Sequence, residues 1–399
     1  MRTWDVIFPD NTDIVIWGAG KNGEKWARFL MNATKPLCYF VDNNPDLNSI
    51  SITKESGETV TYEVKHPNTL QFADEIILIS PYKHIDEIYE KIKKHGGKHI
   101  LIANLLNYLP MDYNLDVEDT LWCYPGHFYS LYPSLQDIRD KYEENAKNEN
   151  SGPDKDGINL EPEKQLALLN KMNKMFDDVP KWLDLKEQAE NGYRYRKGNT
   201  AFGLSDALVL HFVLRLFEPR KIIEVGSGFS SAVTLDTNEY YLNNAMDVEF
   251  IEPYPQLLYS LMKKGDSERV KIYSHKLQDI PLDKFRELKS GDVLFIDSTH
   301  VSKFGSDVNY LFFHILPCLE NGVLVHFHDI FYPWEYPKQW LENKAWNELY
   351  MLRAFLQGNK EWEPIFFNHY MATTYKDRYH EEWQKNDDLG GGSFWMRKK

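Results

Sequence analysis

Short apolar runs alternate with amphipathic stretches along most of the chain, and this alternation predicts strands that are followed by helices. In the N-terminal region, apolar runs at 13–17, 37–41, 75–80 and 99–102 predict strands, whereas residues 85–92 carry isoleucine and tyrosine at helical spacing. Residues 48–66 alternate polar and apolar side chains, as expected for a hairpin. Strands and helices of these lengths in alternation predict a parallel sheet.

The same alternation returns in the C-terminal half. Strands are predicted at Lys221–Val225, Asp247–Ile251, Val270–Tyr273, Asp292–Ile296 and Gly322–Phe327, with closing strands at Pro364–Phe367 and Ser393–Met396. Between the two regions, the pattern predicts one amphipathic helix at 166–175 and an exposed polar loop at 143–157. The sequence therefore predicts an α/β protein with Rossmann-like parallel-sheet domains at 1–109 and 193–399, joined by a connector at 110–192.

Composition narrows the class of protein. The chain has 399 residues, of which 42% are hydrophobic and 27% charged, and these values describe a folded protein of about two domains. The sequence shows no membrane-spanning apolar stretch and no secretory leader, which predicts a cytoplasmic protein. A net charge of −14 disfavours nucleic acid as a partner. The three cysteines, Cys38, Cys123 and Cys318, are too few and too far apart for a disulfide framework or a cysteine zinc cluster.

A first glycine-rich loop lies between a predicted strand and a predicted helix. Gly18, Gly20 and Gly23 permit a tight turn and close approach of a ligand, and the helix N-terminus offers free amide groups to a diphosphate. Asp42 ends the following strand, about where an acid binds a ribose hydroxyl. This pattern predicts a site for a nucleotide or nucleotide-sugar. The alternative is a tight strand–helix turn that binds no ligand.

A second glycine loop has a different pattern. Gly226 and Gly228 follow a strand that contains Glu224, and the next strand ends in Glu252, whose carboxylate can accept both hydroxyls of a ribose. Asp279 follows the third strand, where an acid can reach an adenine ring. The pattern suits a nucleoside that carries a positive sulfonium centre. An NAD site is the competing interpretation, and it is disfavoured because the third glycine of the dinucleotide pattern is absent. A turn without a ligand is the remaining alternative.

Three longer motifs carry a resemblance to a known family. Residues 295–300 are Phe-Ile-Asp-Ser-Thr-His, residues 325–333 are Val-His-Phe-His-Asp-Ile-Phe-Tyr-Pro, and residues 391–395 are Gly-Gly-Ser-Phe-Trp. With these motifs, residues 128–397 resemble a bacterial group of class I S-adenosylmethionine-dependent methyltransferases. The resemblance implies a donor site at Glu224, Gly226, Gly228, Glu252, Asp279 and Asp297. Many members of the family have a third glycine where this chain has Ser230.

The N-terminal glycine loop carries a second resemblance. Residues 18–23, together with Val-Asp-Asn-Asn-Pro at 41–45, are similar to the small Rossmann-like domains that are attached to bacterial sugar-modifying enzymes. This resemblance implies a sugar or a nucleotide-sugar as the acceptor or as a bound ligand.

Acids and histidines follow the fourth and fifth strands of the C-terminal region. Asp297, His300, His328 and Asp329 should meet at one edge of the sheet, because parallel strands bring their carboxyl ends together. A hydroxyl acceptor needs a general base or a metal that lowers its pKa. Two interpretations stay open: a cation such as Mg²⁺ or Mn²⁺ held by Asp297, His328 and Asp329, or a metal-free base at His300 or His328. A third is that these side chains only bind loop backbone. His326 and His328 share a strand face, so only one of them is expected to reach the edge.

Together these features predict an enzyme that moves a methyl group from S-adenosylmethionine to a small polar acceptor, such as a hydroxyl of a sugar. The aromatic segment at 332–337 is predicted either to stack on the acceptor or to pack as a surface loop. One alternative is an oxidoreductase that uses NAD or a nucleotide-sugar at the N-terminal loop. It is disfavoured because no separate catalytic domain accompanies that loop. Another alternative is a non-catalytic nucleotide-binding protein. The sequence leaves a homo-oligomer open.

Overall fold

Two compact units make up the described part of the chain. The computed structural model describes residues 8, 12–54, 57–81, 84–103, 129–149, 157–187, 192–342, 344–386 and 388–399. The units divide between residues 135 and 136, and residues 342–344 are grouped with the first unit. No helix within the described ranges is long and apolar enough to cross a membrane. The predicted boundaries at 109 and 192 stay predictions.

The first unit is built on a mostly parallel sheet. Its strands are β1 (Ile14–Trp17), β2 (Leu37–Val41), β3 (Ser49–Thr53), β4 (Thr59–Lys65), β5 (Ile76–Ile79) and β6 (His99–Ile102), and its helices are α1 (Lys21–Asn32), α2 (Ile85–Lys94) and the short 3₁₀ turn Pro67–Thr69. The strand order is β3-β4-β2-β1-β5-β6. All pairings are parallel except that of β3 with β4, which form the predicted hairpin. β1 and β5 are buried along their whole length, which explains their uninterrupted apolar sequences.

The second unit contains a larger mixed sheet. Its strands are β7 (Lys221–Val225), β8 (Asp247–Ile251), β9 (Val270–Tyr273), β10 (Val293–Ile296), β11 (Leu324–Phe327), β12 (Trp362–Phe367) and β13 (Phe394–Lys398). The strand order is β12-β13-β11-β10-β7-β8-β9. Strands β7 to β11 pair in parallel, whereas β13 lies antiparallel between β11 and β12. The prediction of an α/β protein with two mostly parallel sheets is confirmed.

Helices cover this sheet from residue 135 onward. They are α3 (Leu135–Glu149), α4 (Pro162–Lys174), α5 (Leu204–Phe217), α6 (Phe229–Tyr241), α7 (Gln256–Leu261), α8 (Leu282–Arg286), α9 (Asp307–Tyr310), which continues through a π turn (Leu311–Ile315) into α10 (Leu316–Cys318), then α11 (Lys338–Leu341), α12 (Glu348–Leu356), α13 (Asn368–Thr374) and α14 (Glu381–Gln384). Short 3₁₀ turns lie at Phe176–Asp178, Asp266–Glu268, Leu277–Asp279 and Lys376–Arg378. Helix α5 is apolar around most of its circumference because it is buried from Ser205 to Leu214.

The predicted loop at 143–157 is wrong in its first half, because α3 continues through residue 149. Polar residues of high helix propensity sustain a solvated helix when side chains four positions apart pair, as Asp137 does with Lys141 and Gln136 with Asp140. Two segments in this region lie outside the described residues: 104–128, which contains Cys123, and 150–156. The helix predicted at 166–175 corresponds to α4, whose Leu168, Leu169 and Met172 are buried.

Strand pairing aligns the carboxyl ends of the central strands in the second unit. The amide of Gly226 donates to the carbonyl of Ile251 at 3.0 Å, and the amide of Asp297 donates to the carbonyl of Val225 at 2.9 Å. The amide of His328 donates to the carbonyl of Ile296 at 3.0 Å. The loops that follow β7, β8, β10 and β11 therefore start at one edge of the sheet.

Candidate functional site

The glycine loop after β7 lies directly against the end of β10. Gly226 has φ +82°, and a Cβ atom at this position would lie 1.7 Å from the carbonyl oxygen of Asp297. Only glycine fits this backbone conformation and this contact. Gly228 is extended and precedes the first residue of α6. The loop therefore occupies the switch point of the sheet, where β8 and β10 flank β7 on opposite sides.

Glu224 supports this loop from inside the domain. Its side chain is fully buried, and Oε1 accepts hydrogen bonds from the hydroxyls of Ser230 at 2.7 Å and Ser231 at 2.8 Å. Burial raises the pKa of Glu224 to about 8, even though the two hydroxyls favour the carboxylate. Within the described residues, Oε2 has no hydrogen-bond partner. The geometry thus places Glu224 behind the loop.

Glu252 is partly exposed beside this loop, in the crevice beyond the carboxyl ends of the strands. Its Oε2 accepts the amide of Ser227 at 3.1 Å, and its Oε1 accepts the amide of Tyr254 at 2.8 Å. Each carboxylate oxygen keeps a second lone pair for a ligand hydroxyl. Asp279 is exposed on the 3₁₀ turn after β9, and its neighbour Gln278 donates to the carbonyl of Gly305 at 2.6 Å. These contacts connect the loops on both sides of the crevice.

Three side chains converge where β10 and β11 end. Nε2 of His300 lies 3.4 Å from Oδ1 of Asp297 and 3.4 Å from Oδ2 of Asp329. The three candidate ligand atoms lie within 4.8 Å of one another. His300 is buried, and both carboxylates are partly buried. His300 and Asp329 each have φ +59°, a left-handed conformation that turns the chain sharply at the end of each strand.

The electrostatics of this cluster favour a positive charge. Burial alone would lower the pKa of His300, but its contacts with Asp297 and Glu348 hold that pKa well above its usual value. Burial would likewise raise the pKa of Asp297, but the imidazoles of His328 and His300 bring it down to about 2. One imidazole and two carboxylates form a ligand set of intermediate hardness, which fits Mn²⁺, Fe²⁺ or Zn²⁺ and is less suited to Mg²⁺, which prefers oxygen ligands. The residues present therefore fit a divalent cation.

The histidine of this set differs from the predicted one. The sequence analysis expects His328 to join Asp297 and Asp329, but the imidazole that faces both carboxylates is that of His300. Nε2 of His328 lies 3.5 Å from Asp329, its ring packs 5.0 Å from that of Phe202, and its Nδ1 has no hydrogen-bond partner in the described ranges. His328 continues the direction of β11 and so lies over the face of the sheet, whereas His300 lies on the loop beyond β10.

His326 belongs to the core. Its ring stacks on Phe295 at 3.9 Å, and its Nε2 lies 3.2 Å from the hydroxyl of Ser393. Burial lowers its pKa well below the usual value, which favours the neutral imidazole. Of the two histidines on this strand face, only His328 contacts Asp329.

Sequence reasoning did not find the residues that hold Asp329. Helix α5 contributes Asp206, whose carboxylate accepts the amides of Gly392 at 3.0 Å and Ser393 at 2.9 Å. A Cβ atom on Gly392 would come within 2.9 Å of the backbone of Asp329, so this segment packs directly on the site. The Gly-Gly-Ser-Phe-Trp motif is the sequence signal for this contact, and its physical cause is the close backbone approach.

The aromatic segment at 332–337 is partly a core element. Trp334 and Tyr336 are buried, and the hydroxyl of Tyr336 accepts the amide of Leu349 at 3.1 Å. Packing therefore accounts for these two rings better than stacking on an acceptor. A half-buried aromatic wall lies nearby, because the ring of Trp346 lies 4.3 Å from that of His300 and 5.1 Å from that of Trp340.

The N-terminal glycine loop is held by its own side chains. Gly18 has φ +105° and its carbonyl accepts the hydroxyl of Ser80 at 2.9 Å. A Cβ atom on Gly23 would lie 1.9 Å from the carbonyl oxygen of Gly18. Asp42 accepts the amide of Ala19 at 2.9 Å through Oδ2, and its Oδ1 accepts a second loop amide. The turn itself thus accounts for Gly18, Gly23 and Asp42. A ligand at Asp42 would share the carboxylate with the backbone amides of the loop.

Space remains beside this loop. A Cβ atom on Gly20 would meet no heavy atom within 4 Å. A cavity of about 310 Å³ lies at the carboxyl ends of β2 and β5 and is lined by Asn43, Pro81, His84, Glu87, Ile88 and Lys91. The first unit therefore has an open helix N-terminus and a nearby cavity with basic side chains.

The family comparison covers part of the second unit. Residues 223–330 match a family model described as a methyltransferase domain, and this span contains the glycine loop, Glu252, Asp279 and the cluster at Asp297, His300 and Asp329. This part of the second unit is thus similar to a methyltransferase domain. The chain belongs to the same family as an uncharacterized protein of Archaeoglobus fulgidus, with which it shares 30% identity over 169 residues, or 41% of this chain and 73% of the relative.

Solved methyltransferase structures are similar to this chain only at low TM-scores. The O-methyltransferase TomG from Streptomyces achromogenes, in complex with S-adenosylmethionine, is 15% identical with a TM-score of 0.36, covering 58% of this chain and 89% of its own. The Podospora anserina methyltransferase PaMTH1, bound to S-adenosylhomocysteine, is 15% identical with a TM-score of 0.33, covering 68% and 99%. An O-methyltransferase from Bacillus cereus is 12% identical with a TM-score of 0.32, covering 65% and 97%. The assignment of the class therefore rests on the family model.

Proposed function

We propose that the chain transfers the methyl group of S-adenosylmethionine to a hydroxyl oxygen of a small polar acceptor of the sugar or nucleotide-sugar class. One observation carries the proposal: the cluster of Asp297, His300 and Asp329 lies on the same sheet edge as the glycine loop and Glu252. Ligands of open α/β sheets bind beyond the carboxyl ends of the strands at a switch point. Donor and acceptor would therefore meet at this edge.

The donor side uses the loop and the acids beside it. Glu252 would accept the ribose hydroxyls, and the close turn at Gly226 lets the donor approach the backbone. Asp279 would lie beside the adenine ring. Bound S-adenosylmethionine supplies an electrophilic methyl group on a sulfonium. The acceptor oxygen forms a bond to the methyl carbon as the carbon–sulfur bond breaks, and the protein's task is to hold the reacting atoms in line and exclude water.

The acceptor side would activate the hydroxyl. Asp297, His300 and Asp329 would hold a divalent cation, and the chemistry it would supply is a lower pKa for the acceptor hydroxyl. Without a cation, Nε2 of His300 would take the acceptor proton as a general base, which requires the neutral imidazole and so favours turnover at a pH above the raised pKa of His300. The ring of Trp346 lies beside His300 and that of Trp340 lies beside Trp346, and together they offer an aromatic wall, which suits the face of a sugar ring.

Replacing Glu252 by alanine should weaken binding of both S-adenosylmethionine and S-adenosylhomocysteine about 100-fold. A lost pair of hydrogen bonds to a charged acceptor costs on the order of 3 kcal/mol. Isothermal titration calorimetry on the full chain measures both affinities. Glu268→Ala is the matched control, because Glu268 is an exposed glutamate of the same unit outside the crevice. Donor affinity unchanged in Glu252→Ala, or tight NADH binding at this loop in place of the adenosyl ligands, would contradict the assignment.

For the first unit we propose a nucleotide or nucleotide-sugar site. The open space at Gly20, the N-terminus of α1 and the neighbouring cavity with Lys91 and His84 support it. Such a site would recognise or tether an acceptor and would take no part in a redox step.

Replacing Gly20 by valine should abolish nucleotide binding at this site and leave the fold intact. The new side chain meets no neighbour, so it would occupy only the space of a ligand phosphate. Calorimetry with UDP, ADP and NADH tests this, and S-adenosylhomocysteine binding at the second unit serves as the internal control. If parent and Gly20→Val bind each nucleotide equally weakly, the loop is a structural turn.

A further inference from the structure

A buried glutamate lies behind the imidazole of the candidate cation site. Glu348 is the first residue of α12 and is fully buried, and its Oε2 lies 2.9 Å from Nδ1 of His300. Because a carboxylate only accepts, the imidazole donates its Nδ1 proton in this hydrogen bond. Nε2 is then the nitrogen that faces Asp297 and Asp329. Nothing in the sequence pattern joins Glu348 to the strand ends, since it lies on a helix beyond the aromatic segment.

The backbone holds the same two residues together. The carbonyl of His300 accepts the amides of Asn347 at 3.0 Å and Glu348 at 3.1 Å, so the first amides of α12 bind the histidine loop. The side chain of Asn347 accepts the amide of Ser302 at 2.6 Å, and the ring of Trp346 packs on that of His300. Backbone, side chain and ring contacts thus fix the position and the orientation of the imidazole.

Helix capping alone does not account for this glutamate. An acid at a helix N-terminus is stabilised by the helix dipole while it stays hydrated. Glu348 is instead removed from water, and within the described residues its Oε1 has no hydrogen-bond partner. Burial of a carboxylate is costly unless it is paired. The pairing with His300 is therefore the contact that offsets this cost.

We propose that Glu348 is a positioning residue, which holds His300 in the tautomer and orientation that present Nε2 to a divalent cation bound by Asp297 and Asp329. A carboxylate that accepts the second ring proton of a ligating histidine fixes the ring and raises its basicity. Such a partner typically changes metal affinity 10–100-fold. The inference rests on the proposed function, since the cation would serve the acceptor hydroxyl, and it assigns a role to a residue that touches neither substrate.

Binding of Mn²⁺ to the full chain tests this inference, with free Mn²⁺ measured by electron paramagnetic resonance. Glu348→Gln should weaken Mn²⁺ binding about 10–100-fold and leave S-adenosylhomocysteine affinity unchanged. It should also alter the visible absorption spectrum of the Co²⁺-loaded protein, which reports on ligand geometry. Glu363→Gln is the matched control, because Glu363 is a buried glutamate of β12 that pairs with Arg397 outside the site.

A double-variant cycle separates positioning through His300 from a general structural effect. In a His300→Ala background, Glu348→Gln should cause no further loss of Mn²⁺ affinity, whereas additive losses would contradict action through the imidazole. If Glu348→Gln does not fold, as judged by circular dichroism, Glu348→Asp shortens the reach by one methylene and takes its place with the same expectation.

The outcomes distinguish this inference from the proposed function. Mn²⁺ affinity that is the same in Glu348→Gln and the parent overturns the inference. A parent chain that binds S-adenosylhomocysteine but no divalent cation also overturns it and leaves methyl transfer standing. A parent chain that binds Mn²⁺ in a Glu348-dependent way but no adenosyl ligand supports the inference and overturns the proposed function.

Discussion

Replacing His300 by glutamine should lower methyl transfer by about 100-fold or more while donor affinity stays within about threefold. Nε2 of the imidazole lies 3.4 Å from a carboxylate oxygen of both Asp297 and Asp329, so its loss would remove either a cation ligand or the general base. The proposed donor contacts lie on the glycine loop and Glu252, which the substitution leaves in place. The rate is the formation of S-adenosylhomocysteine from S-adenosylmethionine with a panel of sugars and nucleotide-sugars as acceptors.

The control and the chelation experiment decide between the two roles of His300. His314→Gln replaces an exposed histidine of the same unit and should leave the rate unchanged. Chelation should abolish turnover, and Mn²⁺ should restore it better than Mg²⁺ does. Turnover that survives chelation but is lost in His300→Gln would make the histidine a metal-free base. Full activity in His300→Gln would remove the cluster from the reaction.

Replacing Gly226 by alanine should destabilise the second unit by at least about 3 kcal/mol, and Gly228→Ala by no more than about 1 kcal/mol. At Gly226, a left-handed backbone and a backbone oxygen 1.7 Å from the new Cβ act together, and neither strand can move without breaking the pairing of β7 with β10. At Gly228 the backbone is extended, and the nearest atom, 3.2 Å away, belongs to the flexible side chain of Leu257.

Urea denaturation of the second unit measures these two free energies, and calorimetry then measures donor binding at a temperature where each variant is folded. Gly226→Ala should lose donor affinity, whereas Gly228→Ala should retain most of the affinity unless the donor itself lies against that residue. Equal stability of the two variants would contradict the close contact between the loop and the end of β10.

The parts of the fold that sequence predicts best are those governed by local pattern. β7 and β8 have the predicted bounds, because both strands are largely buried and their apolar residues, three in each, form a short local pattern. Helix α3 was missed, since a polar segment of high helix propensity gives no apolar period from which to judge it. A polar composition of this kind is compatible with either a loop or a solvated helix. In α3, pairing between side chains four positions apart stabilises the helix.

The candidate site likewise contains some residues that local sequence pattern predicts and others that it does not. Glycine motifs and strand-end acids could be located from spacing, because their chemistry depends on residues close in sequence. The approach of the His300 imidazole to both carboxylates, and the contacts of Glu348 and Asp206, could not be predicted. Each depends on contacts between segments that are far apart in sequence, and on a left-handed turn at His300 that no residue type announces.

One measurement tests the central claim most directly: native mass spectrometry of the full chain mixed with equal amounts of S-adenosylhomocysteine and NADH. The proposed methyl transfer predicts a complex with one S-adenosylhomocysteine, which is lost in Glu252→Ala and kept in Glu268→Ala. A spectrum with NADH bound and no S-adenosylhomocysteine complex, or with neither ligand bound, would contradict it.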